Sequence, residues 1–170
     1  MIKIGINGFG RIGRLILRAL LENYKDKIQV VAINDLGSIE ANAHLIKYDS
    51  THGILPYEVE TSKDGFKILN QNIKVFAERD PGNLPWGKEG VDVVLECTGL
   101  FLEKETANKH IKAGAKKVII SAPAKGVDFT VVQGVNSKDL KKEHNVVSNG
   151  SCTTNCLAPI AMILEKNFGI

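Results

Sequence analysis

The sequence is poor in the features that mark several broad protein classes. Only three cysteines, Cys97, Cys152 and Cys156, occur in 170 residues. An odd, sparse count is no disulfide framework and fits a reducing compartment. No apolar run approaches the ~20 residues that a membrane span needs. The opening segment MIKIGIN goes straight into strand-like alternation, with no signal peptide before it. These absences point to a cytoplasmic location and no membrane partner. Charge of one sign is also missing: the net charge is +3, with acids and bases interspersed. A nucleic-acid binder is expected to carry a basic face, so no nucleic-acid partner is expected. The pairs Lys116-Lys117 and Lys141-Lys142 read as solvated surface. No repeat, low-complexity tract or disordered linker interrupts the chain. Metal binding is poorly supported, because Cys152 and Cys156 would need two further ligands and no His or Cys cluster stands near them.

What is present is an ordinary globular composition, 44% apolar and 24% charged, in a chain long enough for a real core. Strand and helix patterns alternate along it. IKIGIN reads as a buried strand, and RIGRLILRALLENY places Ile12, Leu15, Ile16, Ala19 and Leu20 at helical spacing. IQVVAIN is a continuous apolar strand, as parallel strands buried on both faces are. SIEANAHLIKYD reads as a helix capped by Ser38. From about Ser50 to Arg79 the pattern changes to short strands, YEVET, FKIL and IKVFAE, joined by tight turns. VDVVLECTG (strand), EKETANKHIKAG (helix ending at Gly114) and KKVIIS (strand) then resume the alternation. FTVVQGV and HNVVS are two further strand candidates. The expected class is α/β: a mainly parallel sheet covered on both faces, with an inserted short-strand segment. Ligands of such sheets sit beyond the carboxyl ends of the strands.

The residues at those ends are unusual. INGFGRIG carries Gly8, Gly10 and Gly13 in the spacing Gly-x-Gly-x-x-Gly, after a strand and before an amphipathic helix, the context a dinucleotide-binding loop requires. Gly8 permits a tight turn, Gly10 lets a pyrophosphate approach the backbone, and Gly13 lets helix and strand pack closely. The helix N-terminus offers free N–H groups to the phosphates. VVAIND then supplies Asp35, 22 residues beyond Gly13, where a carboxylate grips a ribose diol and repels an added 2′-phosphate. The pattern favours NAD over NADP. Thr98, Gly99 and Ser121 follow later strands and are expected to line the same crevice or to serve as turn residues. Arg79 is an adenine-side contact or a surface charge.

A second unusual stretch is SNGSCTTNC. Ser148, Asn149 and Ser151 are capping residues before a helix that is apolar over most of its girth and expects burial. Cys152 falls in its first turn, where the positive helix end favours a thiolate and backbone N–H groups are placed to hold an oxyanion. Cys156, one turn inside, reads as a small buried cysteine. Pro159 lies within the helix and predicts a kink, with the carbonyl of Asn155 left without its usual donor.

INGFGRIGR, NDL, KYDSTHG, AERDP, ECTG, AGAKKVIISAPAK and SNGSCTTNCLAP, in this order from Ile2 to Gly169, closely resemble phosphorylating glyceraldehyde-3-phosphate dehydrogenases. The resemblance implies a Rossmann-type NAD-binding domain over residues 1–150 and the start of a catalytic domain over 151–170. It implies NAD-dependent oxidation of glyceraldehyde 3-phosphate through a thioester at Cys152, with inorganic phosphate releasing the product as an acyl phosphate. By it, Asn7, Gly8, Gly10, Arg11, Ile12, Gly13, Asp35, Arg79, Thr98, Gly99 and Ser121 would bind the cofactor, with Arg11 and Ile12 acting through the backbone. Ser151 and Thr153 would contact substrate or phosphate, and the complete protein would be a homotetramer. Two departures stand out. Position 150 is Gly where the family commonly has Ala. None of His44, His52, His110 or His144 matches the family's activating histidine, which lies in a later motif of chains about twice this long. The chain thus reads as an N-terminal half. Alternatives are an NAD-binding module without activity, and a relative acting on erythrose 4-phosphate, which would carry a different acid after the second strand and a changed ISAPAK segment. The apolar residues Leu157, Ile160, Leu164 and Phe168 of the last helix are expected to be exposed or repacked.

Overall fold

Strand β1 (Ile2–Asn7) runs through the middle of a nine-stranded sheet in a computed structural model that describes every residue from Met1 to Ile170. Its last four residues are buried. Helix α1 (Arg11–Asn23) returns the chain to β2 (Ile28–Asn34), which pairs parallel with β1. Helix α2 (Ile39–Lys47) follows, started by Ser38, whose hydroxyl accepts the Ala41 N–H at 3.1 Å. Next come a two-stranded ribbon, β3 (Tyr48–Asp49) with β4 (Gly53–Ile54), and an antiparallel meander, β5 (Val59–Ser62), β6 (Gly65–Ile68) and β7 (Gln71–Phe76). The meander is the short-strand insertion expected from the sequence. Its last strand enters the main sheet, where β7 runs parallel to β2.

The chain then crosses to the other side of β1. The short helix α3 (Trp86–Glu89) leads to β8 (Val93–Glu96), which pairs parallel with β1. Helix α4 (Lys104–Lys112) leads to β9 (Lys117–Ile120), beside β8. Beyond it lie β11 (Val146–Ser148) and, at the edge, β10 (Phe129–Thr130). The order β10-β11-β9-β8-β1-β2-β7-β6-β5 puts a reversal of direction at β1, the arrangement that opens a crevice at the carboxyl ends.

Two apolar clusters cover the two faces. One gathers Leu17, Leu21, Ile33, Ile46 and Phe66; the other Ala32, Trp86, Val94, Ala107 and Val118. A register shift sits between β1 and β2: Ile4 pairs with Val30 but Gly5 with Ala32. Val31 is therefore a bulged residue, and the alternation of inward faces resets there.

Two expectations are corrected. FTVVQGV forms a strand only at Phe129–Thr130. Past it the Asn136 side chain takes over the ladder groups, its oxygen accepting the Val132 N–H at 2.8 Å and its amide donating to the Thr130 carbonyl at 3.0 Å. The last helix, α5 (Cys152–Phe168), runs through Pro159 as one element, but none of its residues is buried. Nothing in the chain packs over its apolar girth, so Cys156 is exposed rather than a core cysteine.

Candidate functional site

The turn after β1 is built as its glycines predict. Gly8 has φ +89°, and a Cβ there would lie 2.8 Å from the Thr98 backbone nitrogen. A Cβ on Gly13 would lie 2.2 Å from the Gly8 carbonyl oxygen, whereas one on Gly10 would meet nothing. Gly10 caps α1 without a side-chain acceptor, and no acid occupies the first turn. The N–H groups of Arg11, Ile12 and Gly13 have no partner in the chain, so this helix start is free to receive an anion.

Asp35 sits at the end of β2, facing that turn. One carboxylate oxygen accepts the Phe9 N–H at 2.9 Å and the other the Gly37 N–H at 2.8 Å. Both oxygens retain acceptor capacity for a pair of hydroxyls. The backbone donors keep the carboxylate in place without using it up.

A cavity of about 390 Å³ lies over these ends, and Asn7, Gly8, Gly10, Asp35, Arg79 and Thr98 line it. The sequence missed Asn34, Leu36, Glu78, Cys97, Leu100 and Phe101, which line it as well. Their signal was position alone, since each lies within two residues of one already singled out at a strand end. Arg11 directs its side chain outward to Asp49, at 3.0 Å. Hydrogen bonds from the His52 and Thr51 backbones, with a further one from Arg11, hold the Asp49 carboxyl well below the usual range. Ile12 is exposed in the first turn of α1. Gly99 turns the chain at φ +74°. Ser121 donates its N–H to the Glu96 carbonyl at 3.0 Å; it does not line the cavity. Burial pushes the Cys97 thiol up to about 11, against the opposing Ser121 hydrogen bond, so Cys97 stays protonated and inert at neutral pH.

Cys152 is exposed and is the first residue of α5. Ser151 caps the helix, its hydroxyl accepting the Thr154 N–H at 2.9 Å and meeting Thr153 Oγ1 at 2.8 Å. The N–H groups of Cys152 and Thr153 have no partner in the chain. The approach is fixed by Asn155, whose amide donates to the carbonyls of Asn149 at 2.7 Å and Ser151 at 2.9 Å. Gly150 has φ +67°, a conformation in which glycine is relaxed and alanine is strained. Because β2, β1, β8, β9 and β11 are mutually parallel, Asp35 and Cys152 leave the same edge of the sheet. The strands they follow, β2 and β11, are four spacings apart, or roughly 19 Å, a span suited to an extended two-nucleotide ligand.

The four histidines are engaged elsewhere. His110 is buried against Trp86 and Glu96. His52 pairs with Asp49 at 3.3 Å, His44 packs on Tyr48 with ring centroids 4.9 Å apart, and His144 stacks on Phe129 at 5.2 Å. No group of metal-ligating side chains forms, and no helix is long and apolar enough to cross a membrane.

Comparison with known proteins agrees with this geometry. Residues 2–104 match the family model described as "Glyceraldehyde 3-phosphate dehydrogenase, NAD binding domain". The chain is 55% identical over 170 residues to the glyceraldehyde-3-phosphate dehydrogenase of Pseudomonas aeruginosa, with 99% of this chain and 51% of that protein covered. It is 56% identical to those of Zymomonas mobilis and Geobacillus stearothermophilus, in each case over 99% of this chain and 50% of the relative. The chain thus spans about half the length of the curated relatives it matches. The free first-turn amides of α1 and the two-sided grip on Asp35 suit the dinucleotide this domain takes, which is NAD. With its glycine turn, its acid after the second strand and its reversed strand order, the chain belongs to the glyceraldehyde 3-phosphate dehydrogenase family.

Proposed function

We propose that this chain supplies the NAD site and the nucleophile of an enzyme that oxidises glyceraldehyde 3-phosphate with NAD and inorganic phosphate. Residues 1–150 form its NAD-binding domain, and 151–170 open its catalytic domain. The observation that carries the reading is that the glycine turn, Asp35 and Cys152 all stand on one carboxyl edge of the sheet. Asp35 holds the ribose diol. Gly8, Gly10 and the amides of Arg11, Ile12 and Gly13 receive the pyrophosphate, while Asn7, Arg79 and Thr98 line the rest of the crevice, Gly99 turns the chain beside Thr98, and Ser121 acts only through its backbone bond to Glu96 at the end of β8. NAD, when bound, supplies the hydride acceptor.

The sulfur of Cys152 attacks the aldehyde carbon and forms a hemithioacetal. The free N–H groups of Cys152 and Thr153 stabilise the oxygen as it gains charge. Hydride then leaves that carbon for the acceptor and the hydroxyl proton leaves for solvent or a base, which gives a thioester on Cys152. A phosphate oxygen then displaces the sulfur, releasing an acyl phosphate and restoring the thiolate. Ser151 and Thr153 present hydroxyls next to the sulfur for substrate or phosphate. The same reading expects a cytoplasmic homotetramer for the complete protein.

The test is NADH formation by the complete protein from glyceraldehyde 3-phosphate, NAD and phosphate, with Cys152→Ser as the control. Activity unaffected by that substitution would overturn the role of Cys152. A second reading concerns the 170-residue polypeptide alone. All four of its histidines are occupied away from α5, so it lacks an activating base for the sulfur. It is expected to bind NAD and to show no useful turnover, and activity near that of a complete enzyme would contradict this.

A further inference from the structure

Below the crevice lies a carboxylate that the reaction does not use. Glu96 is 1% exposed and His110 is 0% exposed. One Glu96 oxygen accepts the Asn7 amide at 2.6 Å and lies 2.9 Å from His110 Nε2. The other accepts both the N–H of Thr98, at 2.8 Å, and its hydroxyl. Trp86 fixes the histidine: its indole N–H donates to His110 Nδ1 at 2.9 Å. Nδ1 is therefore an acceptor, and Nε2 carries the proton that it gives to Glu96. Four donors face the Glu96 carboxyl group, so its burial is compensated by hydrogen bonds.

The network continues sideways. Asn7 Oδ1 accepts the Asn34 amide at 2.7 Å. Asn34 also donates to the Glu78 carbonyl and accepts the Glu78 N–H, both at 2.8 Å. One chain of hydrogen bonds thus runs from Glu78 through Asn34, Asn7 and Glu96 to Thr98, across the ends of β7, β2, β1 and β8. Every member but Glu96 lines the cavity. Thr98 has its only hydroxyl proton committed to Glu96 and accepts the Leu100 N–H at 3.0 Å, which sets the turn at Gly99.

We propose that Glu96 is a positioning residue for NAD. Its carboxylate ties the walls of the crevice into one arrangement before the dinucleotide arrives, so that binding does not have to order them. The committed proton leaves the Thr98 hydroxyl able to meet a ligand only as an acceptor. The proposal rests on the NAD reading of the crevice.

The experiment compares the complete protein with its Glu96→Gln variant. Glutamine keeps the shape but turns an NH₂ group towards either Thr98 or the Asn7–His110 pair, donor against donor. The expected result is a rise of about tenfold in both the Kd and the KM for NAD, with a far smaller change in kcat. A residue that only stabilised the fold would reduce the folded fraction, lowering apparent kcat at unchanged KM. Thr98→Val removes one spoke at a site that is not fully buried, and its NAD Kd is expected to rise about fivefold, roughly 1 kcal/mol. It decides the matter alone if Glu96→Gln fails to fold. Wild-type binding with Kd unchanged within twofold in the variants overturns the positioning role and leaves the NAD reading intact. Failure of the wild-type protein to bind NAD overturns both.

Discussion

A Cβ on Gly13 would stand 2.2 Å from the carbonyl oxygen of Gly8. The contact is backbone against side chain, so no rotamer relieves it. Gly13→Ala is expected to force α1 away from the turn and to cost about 1–3 kcal/mol of stability. NAD affinity should fall by more than tenfold, because the free amides at the start of α1 move with the helix. Urea denaturation and NAD calorimetry on the same variant check both effects.

Asp35 holds Phe9 and Gly37 while keeping acceptor sites for a diol. Asp35→Asn keeps the volume and removes the charge and one acceptor face. The loss of a hydrogen bond to a charged group, about 1.5–3 kcal/mol, predicts a rise in NAD Kd of roughly ten- to a hundredfold. The preference for NAD over NADP should narrow, since the repulsion of a 2′-phosphate goes with the charge. Titrations with the two cofactors separate these effects.

Cys97 and Cys152 should part company towards alkylating reagents. Cys97 lines the cavity but is held as a thiol by burial, at about 11. Cys152 is exposed at a helix start. Brief treatment of the native protein with iodoacetamide at neutral pH is expected to label Cys152 and spare Cys97. Peptide mass mapping reads the outcome, and rapid labelling of Cys97 would contradict its assigned burial.

Asp128 predicts an acid-sensitive edge of the sheet. Lys104, with the Val146 and Asn145 N–H groups, holds its carboxyl down at about 2 from a usual 3.8. A depressed carboxylate stabilises the fold above its unfolded value and loses that contribution as pH falls through the folded one. Stability should therefore drop between about pH 4 and pH 2, and Asp128→Asn should flatten that limb. Thermal unfolding across this range measures it.

Helix α5 leaves Leu157, Ile160 and Phe168 exposed at 64%, 51% and 79%. An uncovered apolar face of this kind promotes association. The 170-residue polypeptide is expected to self-associate, and Leu157→Lys with Ile160→Lys to return it to a monomer. Light scattering showing the unsubstituted polypeptide already monomeric would remove the prediction.

The elements that the sequence revealed most clearly are those with strong local patterns. IQVVAIN needed only its run of apolar residues, and Ser38 and Ser151 announced their helices through capping chemistry. FTVVQGV misled because its apolar alternation matched a strand, whereas the Asn136 side chain competes for the same backbone groups. Cys156 misled because helical spacing shows which residues share a face but not whether anything covers it. The bulge at Val31 left no mark in the residue types, since valine suits either face of a sheet.

By itself the sequence determined the alternation of the main strands and helices, though not the β3–β4 ribbon or the short helix α3, together with the glycine turn, the acid that follows it and the cysteine at a helix start. These depend on backbone freedom, capping and periodicity, which act over a few residues. The tertiary structure alone decided that Glu96 and His110, 14 residues apart, meet beneath the crevice. It also decided that Asn7, Asn34 and Thr98 turn their side chains towards one another. Buried polar partners are chosen by which strand ends the fold brings together, and the need to satisfy every buried donor and acceptor becomes specific only once those ends are adjacent.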